Sequence, residues 1–151
     1  MGQVSHLFLA SGSHRPVHKT ESALALADYG LQGCGHGRKG SRRQVLLMDS
    51  ETLRVLGLEP GQIKENITTT GLRVNDLGRG QRLQLGDALL EVTGLCEPCS
   101  RMDEIRMGLQ QELHGRRGIL CRVVEGGRIR CGDTIQLAAA QEPPQEAGRK
   151  L

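Results

Sequence analysis

A chain of 151 residues with one Phe, one Tyr and no Trp does not carry the row of aromatic side chains on which single-stranded nucleic acid stacks. Its 20 basic and 17 acidic side chains leave a net charge of +3, which allows a local anion site but no general polyanion-binding surface. Five cysteines, an odd number, argue against a disulfide framework, and the apolar run at residues 7–10 is too short for a signal peptide or a membrane span. The expectation is one soluble domain in a reducing cytoplasm, with a core of Leu, Val, Ile and Met.

In chain order, residues 3–10 read as a strand and residues 11–22, polar and holding Pro16, as a loop or extended segment. Residues 30–42 carry Gly30, Gly33, Gly35, Gly37 and Gly40, too many for a helix, and predict a loop whose backbone can approach a ligand closely. Residues 43–49 form a strand. Ser50 is placed to cap a short helix over 51–57, ended by Gly57. After the turn at Pro60–Gly61, residues 63–69 read as a strand that alternates Ile63, Glu65 and Ile67 with Lys64, Asn66 and Thr68. Residues 81–86 and 88–95 are neighbouring strands around Gly86–Asp87.

From Cys99 onward Met102, Ile105, Leu109 and Leu113 recur at helical spacing, which predicts one helix over about 100–114, ended by Gly115. Residues 118–125 and 128–137 read as strands joined into a hairpin by Gly126–Gly127. From residue 138 the chain is poor in large apolar residues and holds Pro143–Pro144, so 138–151 reads as a disordered tail behind a domain of residues 1–137. Many short strands and few helices predict a mainly β fold, a closed or nearly closed barrel.

Cys99 is the leading chemical candidate. It stands just after Pro98 where strand gives way to helix, and a helix N-terminus favours thiolate over thiol. A thiolate there would serve as a soft metal ligand or accept sulfur as a persulfide. Cys96 and Cys99 also form a Cys-x-x-Cys pair, which supports a competing reading as a metal-free thiol–disulfide or persulfide carrier. Cys121 and Cys131, inside strands, read as core fillers, and Cys34 as either near a ligand or exposed. His36 beside the glycine loop is suited to an anion. The basic cluster Arg38, Lys39, Arg42 and Arg43 reads equally as a solvated loop or a phosphate site. Asn66, Thr68, Thr69 and Thr70 offer an amide and hydroxyls that suit phosphate or ring heteroatoms, and equally suit an ordinary strand.

Taken in order, these segments resemble the MOSC family, named for the C-terminal domain of molybdenum-cofactor sulfurases. The matching pieces are Gly30-Leu31-x-Gly33-x-x-His36, Arg43-Gln44-Val45, Pro60-Gly61, Glu65-Asn66-Ile67-Thr68 and Gly71-Leu72. They continue with Leu83-x-Leu85-Gly86, Glu91-Val92, Glu97-Pro98-Cys99, Gly115-Arg116-x-Gly118 and Gly126-Gly127-x-Ile129-x-x-Gly132-Asp133.

The resemblance implies a β-barrel and a site for the pterin-based molybdenum cofactor (molybdopterin type), with Cys99 as metal ligand or sulfur acceptor. It implies cofactor contacts from His36, Arg43, Asn66, Thr68 and Thr69. It also implies sulfur transfer to or handling of the cofactor, or a molybdenum-dependent reductase of N-hydroxylated compounds. The partner would then be a pyridoxal-phosphate-dependent cysteine desulfurase or an electron-donor protein, with no nucleic acid and no membrane. The family loop usually reads Gly-Asp-x-His; here Cys34 stands in place of the Asp.

Overall fold

The computed structural model describes residues 2–11 and 16–138. Eleven strands are found among them: β1 (Gly2–Ala10), β2 (Val17–Thr20), β3 (Ser22–Leu26), β4 (Gly30–Leu31), β5 (Val45–Asp49), β6 (Ile67–Thr70), β7 (Arg82–Leu85), β8 (Ala88–Leu95), β9 (Ile119–Glu125), β10 (Gly127–Arg130) and β11 (Thr134–Ala138). Three short helices, α1 (Ser50–Val55), α2 (Met102–Ile105) and α3 (Leu109–Glu112), and a 3-10 turn at Val74–Asp76 complete the set.

The order β11-β7-β8-β9-β5-β6-β1 closes because β11 also pairs with β1, giving a seven-stranded barrel with β2 added at the edge of β1. Closure removes the sheet edges that an open sheet would expose. Alternate residues of the strands point inward: Leu83 and Leu85 in β7, Ala88, Leu90 and Val92 in β8, and Val45 and Leu47 in β5 are all buried in one core. That core is aliphatic, as the composition requires. The only parallel pair in the barrel is β5–β6, and the chain between them carries α1 and the turn at Pro60–Gly61.

Several local readings change. Asp49, not Ser50, caps α1: its Oδ2 accepts from the Thr52 N–H at 2.8 Å. The polar segment before residue 22 contains β2, an edge strand paired with Leu7–Ala10 of β1. The strand placed at 63–69 begins only at Ile67, because Lys64 has φ +66° and its N–H closes a turn onto the Gly61 carbonyl at 3.0 Å. β9 and β10 do not form a hairpin. β10 pairs instead with β3 in a second, small sheet. Gly127 explains the departure: a Cβ there would run into the Asp87 backbone, so only glycine lets the chain cross β8's leading turn.

The single helix expected over 100–114 is two short ones. Arg106 is extended (φ −159°, ψ 130°) and Gly108 is left-handed (φ +86°), which breaks the helical run between them. The periodicity still identified the buried face. Met102, Leu109 and Leu113 are buried with Met48, Leu53 and Ile63 in a second apolar cluster outside the barrel, and Ile105 packs against it. The tail assigned from 138 lies outside the described residues, except for Ala138, the last residue of β11.

Candidate functional site

One cleft of about 610 Å³ opens between the barrel and the segment carrying α2 and α3, a size suited to a cofactor or small ligand. Its floor is apolar: Leu46 of β5, Leu120 of β9 and Cys96 are buried against one another. Its walls are basic. Arg38, Arg43, Lys64, Arg101 and Arg117 line it, together with His36, against the single carboxylate of Glu104.

Arg117 is the most telling of these side chains. It is only 8 % exposed, its Nη2 donates to the Ile63 carbonyl at 2.8 Å, and its Nη1 has no partner. A buried guanidinium nitrogen without a partner is costly, and the residue that carries it stands in the cleft lining. Sequence reasoning passed over Arg117, although it is the unassigned residue of Gly115-Arg116-x-Gly118. An arginine one glycine before the apolar run Ile119–Leu120 was the available signal. Lys64 and Arg101 were also missed as cleft residues.

Cys99 is exposed at the cleft and is a free thiol. The helix N-terminus invoked for it does not apply. The first helical turn begins at Met102, and what Cys99 offers it is the carbonyl that accepts the Met102 N–H at 3.0 Å. Its claim to function rests on its place at the cleft mouth. Cys96 lines the same cleft but is buried, its Sγ directed at the Glu97 carbonyl at 3.9 Å.

The structure brings His36, Arg43, Asn66 and Cys99 to one cleft and leaves Thr68 and Thr69 outside its lining. The Thr68 hydroxyl donates to Glu65 Oε2 at 2.7 Å and the Thr69 hydroxyl to the Leu72 carbonyl at 3.2 Å, so both are engaged inside the protein. The Asn66 amide is also engaged: Oδ1 accepts from the Leu46 N–H at 3.0 Å, and Nδ2 donates to the Phe8 carbonyl at 3.2 Å and to Cys34 Sγ at 3.3 Å.

Cys34 is therefore neither exposed nor an ordinary core filler. It is 4 % exposed and sits in a turn closed by the Gly37 N–H on its carbonyl at 3.1 Å, next to the cleft residues Gly35 and His36. Burial alone pushes its thiol up. The hydrogen bond from the His36 side chain, with the backbone N–H groups of Ala10 and His36, outweighs burial and brings it from 9.0 down to about 7. His36 moves the other way, raised chiefly by its hydrogen bond to Cys34 and further by Asn66, against burial and Lys64. In β9, burial pushes the Cys121 thiol far up, with a smaller push from Glu91, and it remains an inert core residue.

Residues 36–136 match the family model described as the MOSC domain. The chain belongs to the MOSC domain family. The same MOSC fold recurs in the YuaD protein from Bacillus subtilis, at TM-score 0.77 and 19 % identity over 93 % of this chain and 98 % of that one. It recurs in YiiM from Geobacillus stearothermophilus (TM-score 0.74, 18 % identity, 92 % of this chain and 76 % of that one). YiiM from Escherichia coli is similar at TM-score 0.69 and 17 % identity, over 93 % of this chain and 72 % of that one. At these identities the likeness is one of fold. No curated protein matches the chain. Among the described residues no helix is long and apolar enough to cross a membrane.

Proposed function

We propose that this MOSC domain holds the phosphate-bearing pterin molybdenum cofactor in the cleft beneath α2, with Cys99 as the thiolate that ligates the metal or carries its sulfur. The observation that carries the reading is buried Arg117, a residue with an unpartnered Nη1, in the lining of a cleft otherwise walled by Arg38, Arg43, Lys64 and Arg101. The donor set fits the group. A dianionic phosphate meets the fixed guanidinium of Arg117, with Arg43 and His36 at the same wall. The face of a pterin ring, whose polar atoms lie along its edge, would rest on a floor of Leu46, Cys96 and Leu120. No group of three or more His, Cys, Asp or Glu side chains suited to a metal ion exists among the described residues. Cys99 would be the chain's thiolate toward a metal that the cofactor brings with its own ligands.

When bound, the cofactor supplies two-electron redox and sulfur chemistry; the chain supplies the rest. Arg117 binds and orients the anionic end. Asn66, anchored on two backbone groups, keeps the barrel wall in shape, and Thr68 and Thr69 stiffen the strand behind it. Cys99 presents sulfur at the open side, where a cysteine desulfurase or an electron-donor protein would reach it. The site lies in the cytoplasm in this reading.

The test is molybdenum and pterin content of protein purified from a host that makes the cofactor, with Cys99→Ala and Arg117→Met alongside. Near-stoichiometric molybdenum and pterin in the parent, lost in Arg117→Met, is the expected result. Absence from the parent removes the proposal. A second reading, a metal-free thiol–disulfide or persulfide carrier, draws on the placement of both Cys96 and Cys99 at the cleft. It requires an intramolecular disulfide between them under mild oxidation, and a pair that stays reduced ends it.

A further inference from the structure

A second cavity, of about 330 Å³, lies between α1, the 3-10 turn at Val74–Asp76 and the Gly115–Arg116 turn, and shares no lining residue with the cofactor cleft. Two carboxylates of its lining are only half satisfied. Asp49, at the end of β5, is fully buried; its Oδ2 accepts from the Thr52 N–H at 2.8 Å, and its buried Oδ1 has no partner. Glu51, two residues on, accepts from the Gly71 N–H on Oε2 at 2.9 Å, and its buried Oε1 has no partner either. Among the described residues four buried side-chain nitrogen or oxygen atoms lack a partner, and two of the four belong to this lining. Buried polar atoms are as a rule paired, so two such oxygens on one small cavity mark a place where a donor is missing.

The missing donor carries N–H groups and positive charge. A metal ion asks for more ligands than stand here, since no group of three or more His, Cys, Asp or Glu side chains suited to one exists among the described residues. A primary ammonium brings three N–H donors and is satisfied by carboxylate oxygens of this kind. Asp76, an exposed third carboxylate of the lining, tips the cavity further toward a cation. The same lining also offers the opposite charge. Arg73 and Arg116 belong to it, and neither forms an ion pair among the described residues; Arg116 Nε donates to the Glu112 carbonyl at 2.9 Å. A guanidinium matches a carboxylate ligand. Val55 supplies an apolar side chain, and the volume lies at the small end of the range for ligand pockets.

We propose that this cavity is a second ligand site of the domain and takes a small free α-amino acid, its ammonium held by Asp49 and Glu51, its carboxylate by Arg73 and Arg116, and a short aliphatic side chain beside Val55. Binding is non-covalent and independent of the cofactor reading. The site is tied to the barrel by Asn75, a lining residue whose Oδ1 accepts from the Gly118 N–H at 2.9 Å. Along that segment Arg116 belongs to this cavity and Arg117, the next residue, to the cleft.

The experiment titrates the isotope-labelled full chain, free of molybdenum cofactor, with L-valine and follows the backbone amides by NMR. Saturable shifts are expected at the Thr52 and Gly71 N–H groups, which sit on the two half-satisfied carboxylates. Asp49→Asn can still cap α1, and Glu51→Gln can still accept from Gly71; each weakens L-valine binding by roughly 10- to 100-fold through loss of a charge-assisted hydrogen bond. L-Valinamide, which lacks the carboxylate, and α-hydroxyisovalerate, which lacks the ammonium, bind more weakly than L-valine. Arg117→Met, in the other cavity, keeps the parental affinity. The amide spectrum of each variant confirms its fold. The absence of a saturable shift in the folded parent protein leaves the two oxygens to water alone and overturns the proposal. So do shifts confined to cleft residues such as Gly35, undiminished binding in both Asp49→Asn and Glu51→Gln, or L-valinamide binding as tightly as L-valine.

Discussion

The two sides of the cleft are built differently. The barrel side is fixed: Arg117, Asn66 and Cys34 are buried, Arg117 donates to the Ile63 carbonyl, and Asn66 ties Leu46 of β5 to Phe8 of β1 and reaches Cys34 Sγ. The opposite side, with Cys99, Arg101 and Glu104, hangs on two four-residue helices whose own N-cap residues give no side-chain hydrogen bond, held by a small apolar cluster, by Asp103 on the Gln110 N–H and by Arg106 on the Leu56 carbonyl. Short uncapped helices depend on packing for their stability. The comparison teaches that the buried cation, Arg117, sits on the fixed wall, while the exposed thiol sits on the adjustable one.

Substitutions break or sharpen this contrast. The largest effect is expected in the barrel interior: Leu85→Ala, at a fully buried position, should lose about 2–5 kcal/mol in denaturant unfolding. Leu109→Ala, equally buried but on the cover segment, should fall at the low end of about 2–5 kcal/mol, because that side can collapse around the gap. Equal losses would show both sides to be one rigid unit.

Next comes Arg117→Met, expected to weaken binding of inorganic sulfate by roughly 10- to 100-fold, equivalent to a lost charge-assisted hydrogen bond of about 1.5–3 kcal/mol. Its effect on stability should be much smaller than that of Leu85→Ala, because an apolar side chain also removes the buried unpartnered nitrogen. Calorimetric titration and denaturant unfolding separate the two effects.

The pH dependence is smaller and has a definite sign. Sulfate keeps its charge across the neutral range. His36 is cationic below its raised pKa, and the Cys34 thiol becomes anionic above about 7, so rising pH both adds negative charge and removes positive charge at the wall. Sulfate affinity should therefore fall as pH rises through neutrality, and His36→Gln should flatten its half of that fall. A rise with pH would reverse the assigned charges. Smallest of all, Cys99→Ser should change stability by no more than about 0.5 kcal/mol, as for an exposed side chain free of structural bonds.

The barrel was legible because alternation in β7, β8 and β5 reports an inward face directly, and the ordered motif pieces gave the family. What the sequence hid were features fixed by tertiary contact. The Gly126–Gly127 pair looks like a hairpin corner, yet packing against the Asp87 backbone sends β10 to another sheet. The apolar spacing from Met102 to Leu113 is true to a buried face, but one glycine in the left-handed region splits the helix. In the site, Cys99, His36, Arg43 and Asn66 were found together because the motif pieces that carry them meet at one cleft. Arg117 and the Cys34–His36 pair escaped because a partnerless nitrogen and a shifted thiol belong to no local pattern. Thr68 and Thr69 carry suitable hydroxyls, but their direction depends on Glu65 and Leu72, which only the folded chain supplies.

The most direct measurement is the pterin-to-molybdenum ratio retained by Cys99→Ala and Arg117→Met, each purified from a cofactor-producing host beside the parent protein. If the rigid wall binds the anionic end and the exposed thiol binds the metal, Arg117→Met loses pterin and molybdenum together, whereas Cys99→Ala keeps measurable pterin while its molybdenum falls. Retention of both at parental levels in Arg117→Met would contradict the account.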